Sequence, residues 1–116
     1  SDSFQFSFAQ NGIKKTISQD LSNATPSELA DIGSMYAHGK LVKQSWKKAI
    51  ELNQLAADGG HTNSLFFLAL CHEKGNGVPK NNAKAVELYQ LAANKGHTRA
   101  QYNLGVCHME GAGTTK

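Results

Sequence analysis

The chain has 116 residues, of which 40% are hydrophobic and 18% charged, and its formal net charge is +3 at pH 7. This length suits one small domain, and this composition excludes an intrinsically disordered chain. The positive charge is too small to indicate nucleic-acid binding, and no apolar run is long enough for a membrane span.

Residues 1–24 are predicted to form an N-terminal capping segment, for which two structures compete. Aliphatic side chains between residues 13 and 21 recur at helical spacing. Three phenylalanines alternate between residues 4 and 8, before an Asn11-Gly12 turn signal that is typical of a β-hairpin. The helix is favoured because a stack of helical units, described below, needs a terminal cap. The hairpin stays the alternative.

Residues 25–64 are predicted to form a pair of helices. The run Thr25-Pro26-Ser27-Glu28 combines an N-cap, a proline at the first helical position and a glutamate at the third. Ser45 is a favourable N-cap for a second helix. The pattern therefore indicates a helix-turn-helix unit.

Residues 65–100 repeat this pattern. Apolar residues fall at i, i+3 and i+4 from Leu65, as on one stripe of a helix, which Gly75 then ends. Asn81 is the expected N-cap of the second helix, and Gly96 is expected just after its end, where a positive φ suits glycine. The sequence predicts a second helix-turn-helix unit.

Residues 101–116 are predicted to belong to a third, incomplete unit. Its first helix is expected to begin near Thr98, because Thr98-Arg99-Ala100-Gln101 has the capping-box pattern. The first helix and its loop are followed by no second helix in the sequence. The chain is therefore interpreted as a fragment of a longer repeat protein.

A period of 36 residues connects these units. Cys71 and Cys107 are 36 residues apart, and the segment LAADGGHT returns at that offset as LAANKGHT. Residues 29–64 and 65–100 share 14 identical positions of 36. A fixed period of this size is typical of stacked supersecondary units, so the sequence indicates an internal duplication.

The motifs of these units resemble those of Sel1-like repeats, which are relatives of tetratricopeptide repeats. The matching residues are Leu104-Gly105, Gly75-Asn76-Gly77-Val78, Lys84-Ala85, Tyr89, Ala92-Ala93 and Gly96. Five positions depart from the family pattern, and two of them, Ser45 and Asn81, replace the usual capping aspartate conservatively. His72 and His108 stand where tyrosine is usual, and Leu41 replaces the second loop glycine.

The resemblance implies an all-α fold, an α-α superhelix in the form of a right-handed solenoid of Sel1-like helix-turn-helix repeats. The repeats are also similar to those of a mitochondrial stress-signalling member of the family. This further likeness implies a role in stress signalling.

The two Cys-His pairs are interpreted as repeat positions with no metal. Adjacent residues on a helix point about 100° apart, so Cys71 and His72 cannot both reach one zinc ion without distortion. Cys71 and Cys107 are expected to be buried, and neighbouring first helices hold them too far apart for a disulfide. Free thiols favour an intracellular site, in the cytosol or the mitochondrion.

The resemblance implies a protein–protein interaction scaffold or adaptor, with no enzyme activity and no cofactor. Its partner is expected to be a helix or peptide bound on the concave face, with no nucleic acid and no membrane insertion. Placed as in tetratricopeptide units, the first helices predict that this face carries Asn63, Phe66, Phe67, Leu70, Glu73, Arg99, Tyr102, Asn103, Val106 and Met109. The alternative is an oligomerisation module that forms homo-oligomers through the open C-terminal repeat.

Overall fold

The structure, a computed structural model, describes residues 23–111. It contains five α-helices of 13 residues each: α1 Pro26–His38, α2 Trp46–Asp58, α3 Thr62–Lys74, α4 Asn82–Asn94 and α5 Thr98–Glu110. No strand occurs among the described residues, and the predicted all-α class is confirmed. No helix in this range is long and apolar enough to cross a membrane.

The helices keep the 36-residue period found in the sequence. The first residues of α1, α3 and α5 lie 36 positions apart, and so do those of α2 and α4. The chain divides into two compact units between Gly60 and His61. The predicted N-terminal capping segment falls almost wholly outside the described residues, and the repeat boundaries drawn from the sequence remain a prediction.

Helix α1 begins at the capping box that the sequence predicted. Oγ1 of Thr25 accepts the backbone N–H of Glu28 at 3.1 Å, and the Glu28 carboxylate accepts the backbone N–H of Thr25 at 2.9 Å. Ser45 caps α2 in the same way, accepting the N–H of Lys48 at 3.2 Å. Each cap satisfies a backbone donor that has no partner within its helix.

The loop between α1 and α2 keeps the backbone of the corresponding loop in the second unit, although Leu41 stands in place of a glycine. Gly39 ends α1 in the left-handed region at φ 69°, and Leu41 follows it at φ 70°. Gly77, which stands at the position of Leu41 in the second unit, has φ 76°. Leucine therefore adopts a conformation that suits glycine, because the repeat geometry requires it.

The core of the first unit lies between α1 and α2. Ile32 is almost fully buried, and Leu29, Leu52 and Ala56 pack with it. Gly33 lets the two helices approach closely, since a Cβ built there would lie 2.5 Å from the side-chain nitrogen of Asn53. That buried amide donates a hydrogen bond to the carbonyl of Ala49 at 2.9 Å. A small residue at this position is thus a packing requirement.

In the second unit α4 packs against both α3 and α5. Its buried residues are Ala85, Leu88, Tyr89 and Ala92. Helix α3 contributes most of its apolar side chains to this core, whereas the buried residues of α5 are Ala100 and Cys107. The three alanines among these residues allow close helix approach.

The turn from α4 to α5 confirms one prediction and corrects another. Gly96 follows the end of α4 at φ 90°, as expected for a glycine at that place. Thr98, however, is the first residue of α5 and not its N-cap. The cap is His97, whose Nδ1 accepts the backbone N–H of Ala100 at 3.1 Å. Gln101 donates its side-chain amide to the carbonyl of Ala93 instead of closing a capping box.

Candidate functional site

The ten residues predicted to bind a partner form five pairs, each 36 residues apart, on α3 and α5. Within each helix they recur at i, i+3, i+4, i+7 and i+10, so they share one face of that helix. We call this set the α3–α5 face. It lies wholly within the second unit.

Phe66 lies at the centre of this face but is buried. Its ring is stacked on the His97 imidazole with centroids 4.6 Å apart and tilted against the Tyr89 ring at 5.8 Å. The guanidinium carbon of Arg99 lies 5.0 Å from the Phe66 centroid. Only 7% of Phe66 is exposed, so the expectation that this ring lies on the surface is wrong. Its cover comes from α5 and the preceding turn.

His97 connects the turn to α3 through both ring nitrogens. Nδ1 accepts the N–H of Ala100, so Nδ1 carries no proton, and the proton of the neutral ring is on Nε2. Nε2 lies 2.7 Å from Oδ1 of Asn63 and donates to it. His97 thus caps α5 and also packs on Phe66 at this turn. Its contact with Asn63 could not be foreseen, because no local pattern pairs these residues.

A second polar cluster lies on the α3–α5 face beside Tyr89. The Tyr89 hydroxyl donates to Oε1 of Glu73, and the Asn103 amide donates to the same hydroxyl at 3.3 Å. Burial and the hydrogen bond to Glu73 raise the pKa of Tyr89 well above its ordinary value. Glu73 and Asn103 are half-buried here, so they present fewer free polar groups than the sequence suggested.

Most of the freely exposed part of the α3–α5 face is on α5. Tyr102 is 72% exposed and Met109 is 76% exposed. Arg99 and Asn63 are exposed as well. The remaining predicted residues are partly exposed: Phe67, Leu70, Glu73, Asn103 and Val106. The face therefore combines one large aromatic side chain, several aliphatic ones and a cation.

Tyr102 and Phe66 occupy the same position in successive repeats but differ in exposure. Phe66 is covered by His97 and Arg99, whereas no aromatic ring or cation lies over Tyr102 within residues 23–111. The Tyr102 side chain thus exposes a large apolar ring that carries one hydroxyl, a combination enriched at protein interfaces.

The Cys-His pairs do not form a cluster. Both thiols are free and buried, and burial raises the pKa of Cys71 to about 11. His72 is half-buried with its Nδ1 lacking a hydrogen-bond partner, whereas His108 is exposed. Burial first, and then the charge of Lys84, lower the pKa of His72. Across residues 23–111 no group of three His, Cys, Asp or Glu side chains is arranged to hold a metal ion.

Comparisons with known proteins agree with this repeat architecture. A model of the Sel1 repeat family matches residues 28–61, 62–97 and 98–116. A comparison with curated protein sequences found no match.

Two solved structures are similar to the chain. One is c5321, described as a protective antigen present in uropathogenic Escherichia coli strains displaying an SLR fold. It is 32% identical with a TM-score of 0.82, and the match covers 87% of this chain and 22% of that one. The other is a Sel1 repeat protein from Oxalobacter formigenes, 31% identical with a TM-score of 0.84, where the match covers 92% of this chain and 44% of that one. The chain spans less than half of either relative. The resemblance found in the sequence is confirmed.

Proposed function

Because the chain belongs to the Sel1 repeat family, whose members generally act as scaffolds for protein–protein interactions, we propose that it binds a partner helix or extended peptide on the α3–α5 face. The observation that carries this proposal is the exposure of Tyr102 and Met109 on one face of α5. An exposed apolar patch with a polar margin commonly marks a protein contact.

The composition of the face supports a peptide partner. Tyrosine, methionine and arginine are enriched at protein interfaces, and Tyr102, Met109 and Arg99 are all exposed here. Phe66 lies against the Arg99 guanidinium and packs on the Tyr89 ring, and both rings are buried. A partner side chain would therefore dock on a surface that is already ordered, which lowers the entropy cost of binding.

The Sel1 repeat fold is typical of interaction scaffolds without enzyme activity, and we extend that role to this chain. A reducing compartment is part of the proposal, because both cysteines are free thiols. We assign no residue to a signalling role, and that role rests only on the likeness to a stress-signalling member of the family.

The proposal is tested by selecting peptides from a displayed 12-residue random library on the full chain. We expect Tyr102→Ala to weaken a selected peptide by roughly tenfold or more, since truncating an aromatic anchor typically costs about 2 kcal/mol of binding. Leu91→Ala is the matched control, because Leu91 is 48% exposed on α4 and outside the α3–α5 face. Equal losses in both variants, or none in Tyr102→Ala, would contradict the proposal.

A second candidate function is homo-oligomerisation through the opposite side of the second unit. A shallow cleft there is lined by Ala83, Val86, Glu87, Gln90, Leu91 and His108. Its apolar floor would suit a second copy of the chain. Light scattering at tens of micromolar should then show a dimer that Leu91→Glu dissociates. A monomer at that concentration would reject this candidate.

A further inference from the structure

The hydrogen bonds of His97 determine what Asn63 offers to a ligand. Since Nε2 of His97 carries the proton, Asn63 must present its carboxamide oxygen to the imidazole. A flipped amide would place two donors against each other. Both N–H donors of Asn63 Nδ2 are therefore left for partners other than the imidazole. No residue within 23–111 accepts a hydrogen bond from them.

Arg99 is a second source of donors on the same face. Its guanidinium lies against the Phe66 ring, which holds it at the surface. Among the described residues the one ion pair is Lys84 with Glu87, so no carboxylate of this part of the chain pairs with Arg99. The planar guanidinium keeps a fork of N–H groups for a ligand.

Arg99 and Asn63 offer a ligand hydrogen-bond donors and no free acceptor. Arg99 stacks on Phe66, Phe66 stacks on His97, and His97 holds Asn63, so the two donor groups are attached to one chain of contacts. A group that binds here must accept hydrogen bonds from both. The positive charge of Arg99 favours an anion among such acceptors, and the guanidinium fork matches the two oxygens of a carboxylate.

Charge favours a carboxylate over a phosphate. Arg99 is the one cation among the ten residues of the α3–α5 face, and the one acid, Glu73, accepts the Tyr89 hydroxyl. The single positive charge of Arg99 balances one carboxylate, whereas it leaves part of the charge of a phosphate dianion unbalanced.

We propose that Arg99 and Asn63 form a binding site for an aspartate or glutamate side chain of the peptide partner, with His97 as the positioning residue. This inference rests on the proposed function, because the carboxylate belongs to the peptide bound on the α3–α5 face. Arg99 supplies the positive charge, and Asn63 supplies a directional hydrogen bond from Nδ2. His97 sets the orientation of the Asn63 amide.

The experiment is a titration of the full chain with N-acetyl-aspartate α-methylamide, whose one carboxylate is that of the side chain, followed by the NMR signals of the Arg99 Nε–H and the Asn63 Nδ2 groups. N-acetyl-asparagine methylamide is the uncharged match. We expect saturable shifts of both groups with the aspartate probe and none with the asparagine probe. Arg99→Gln should weaken binding of the aspartate probe at least fivefold. Lys95→Gln, which removes an exposed cation four residues earlier, should leave that binding at the wild-type level.

His97→Asn tests the positioning role. Asparagine is a favourable N-cap, so α5 should keep its start, but it lacks the Nε2–H that reaches Asn63. We expect unchanged circular dichroism, loss of the Asn63 Nδ2 response and weaker binding of the aspartate probe. An intact Asn63 response in this variant would contradict the role of His97.

Other results overturn the assignment of the site. Equal responses to both probes, or unchanged affinity in Arg99→Gln, would reject it. Tighter binding of inorganic phosphate at the same two groups would show that the site takes phosphoryl groups. If Tyr102→Ala leaves peptide binding unchanged while the aspartate response persists, the proposed function fails and the carboxylate site stands.

Discussion

The hydroxyl of Tyr89 on α4 donates a hydrogen bond to the carboxylate of Glu73 on α3. The amide of Asn103 on α5 donates to the same hydroxyl, so one buried tyrosine connects all three helices of the second unit. A buried hydroxyl needs such partners, because leaving it without one costs free energy.

Replacing Tyr89 with phenylalanine should therefore destabilise the chain. The ring keeps its packing, but a hydrogen bond to a charged group is lost, and we expect a loss of about 1–2 kcal/mol in the free energy of unfolding. Urea denaturation measures this value. Tyr36→Phe is the matched control, because Tyr36 is half-buried and its hydroxyl has no hydrogen bond within residues 23–111. Equal stability losses in both variants would show that the ring contacts, and not the hydroxyl, matter.

The raised pKa of the Tyr89 hydroxyl predicts that the stability of the fold decreases at alkaline pH. The folded-state pKa of Tyr89 lies above its ordinary value of 10.0, so the folded chain holds this proton more tightly than the unfolded one. The resulting stability is fully present below about pH 10 and is lost as the pH rises further. The stability difference between wild type and Tyr89→Phe should shrink above pH 10. A difference that stays constant would contradict the raised pKa.

Replacing Leu41, in contrast to replacing Tyr89, should not lower the free energy of unfolding. Its φ of 70° costs a leucine about 1 kcal/mol, which glycine would not incur. We expect Leu41→Gly to stabilise the chain or leave it unchanged after the entropy of glycine is included, whereas Lys40→Gly should destabilise it. Thermal unfolding of the two variants decides the point. A clear loss in Leu41→Gly would show that the leucine side chain contributes more than its backbone costs.

Gly33 and Gly105 occupy the same position of the repeat but should respond in opposite ways to alanine. A Cβ at Gly33 would meet the Asn53 amide at 2.5 Å and the Ala49 carbonyl at 3.2 Å. Overpacking of this kind costs about 1–3 kcal/mol. At Gly105 no such atom lies within 4 Å, so Gly105→Ala should stabilise α5 by about 0.5–1 kcal/mol. Chemical denaturation of both variants measures the contrast, and a loss in both would contradict the packing described.

The two thiols should differ in reactivity. Cys71 is 2% exposed and its pKa is raised to about 11, whereas Cys107 is 6% exposed and its pKa is raised mainly by burial. Because the thiolate is the reactive form, we expect Cys107 to react faster with a disulfide reagent at pH 8. Cys107→Ala should remove the fast phase, and Cys71→Ala the slow one. Retention of the fast phase in Cys107→Ala would reject this order.

Local features of the fold could be predicted from the sequence, and contacts between helices could not. Thr25, Ser45 and Asn81 cap their helices as predicted, because each contact spans three residues. Thr98 does not cap α5, because the neighbouring His97 imidazole supplies the acceptor. The helix therefore begins one residue earlier than a Thr98 cap would place it. The N-cap preferences used on the sequence favour threonine at the start of α5 and do not include histidine.

The candidate site was predicted only in outline. The ten residues predicted from the 36-residue period do lie on α3 and α5, but Phe66 is buried because its cover comes from another helix and turn. Exposure depends on which side chains lie above a ring, and the repeat pattern alone makes Phe66 and Tyr102 equivalent. The polar partners of Tyr89 and His97 depend on the same helix packing.

The central claim, that partners bind on the α3–α5 face, is tested most directly by the NMR footprint of a selected peptide on the full chain. We predict that the backbone amide shifts cluster at Arg99, Tyr102 and Met109, with smaller shifts at Asn63 and Leu70. Shifts that cluster instead at Ala83, Val86 and Leu91, on the opposite side of the second unit, would contradict the claim.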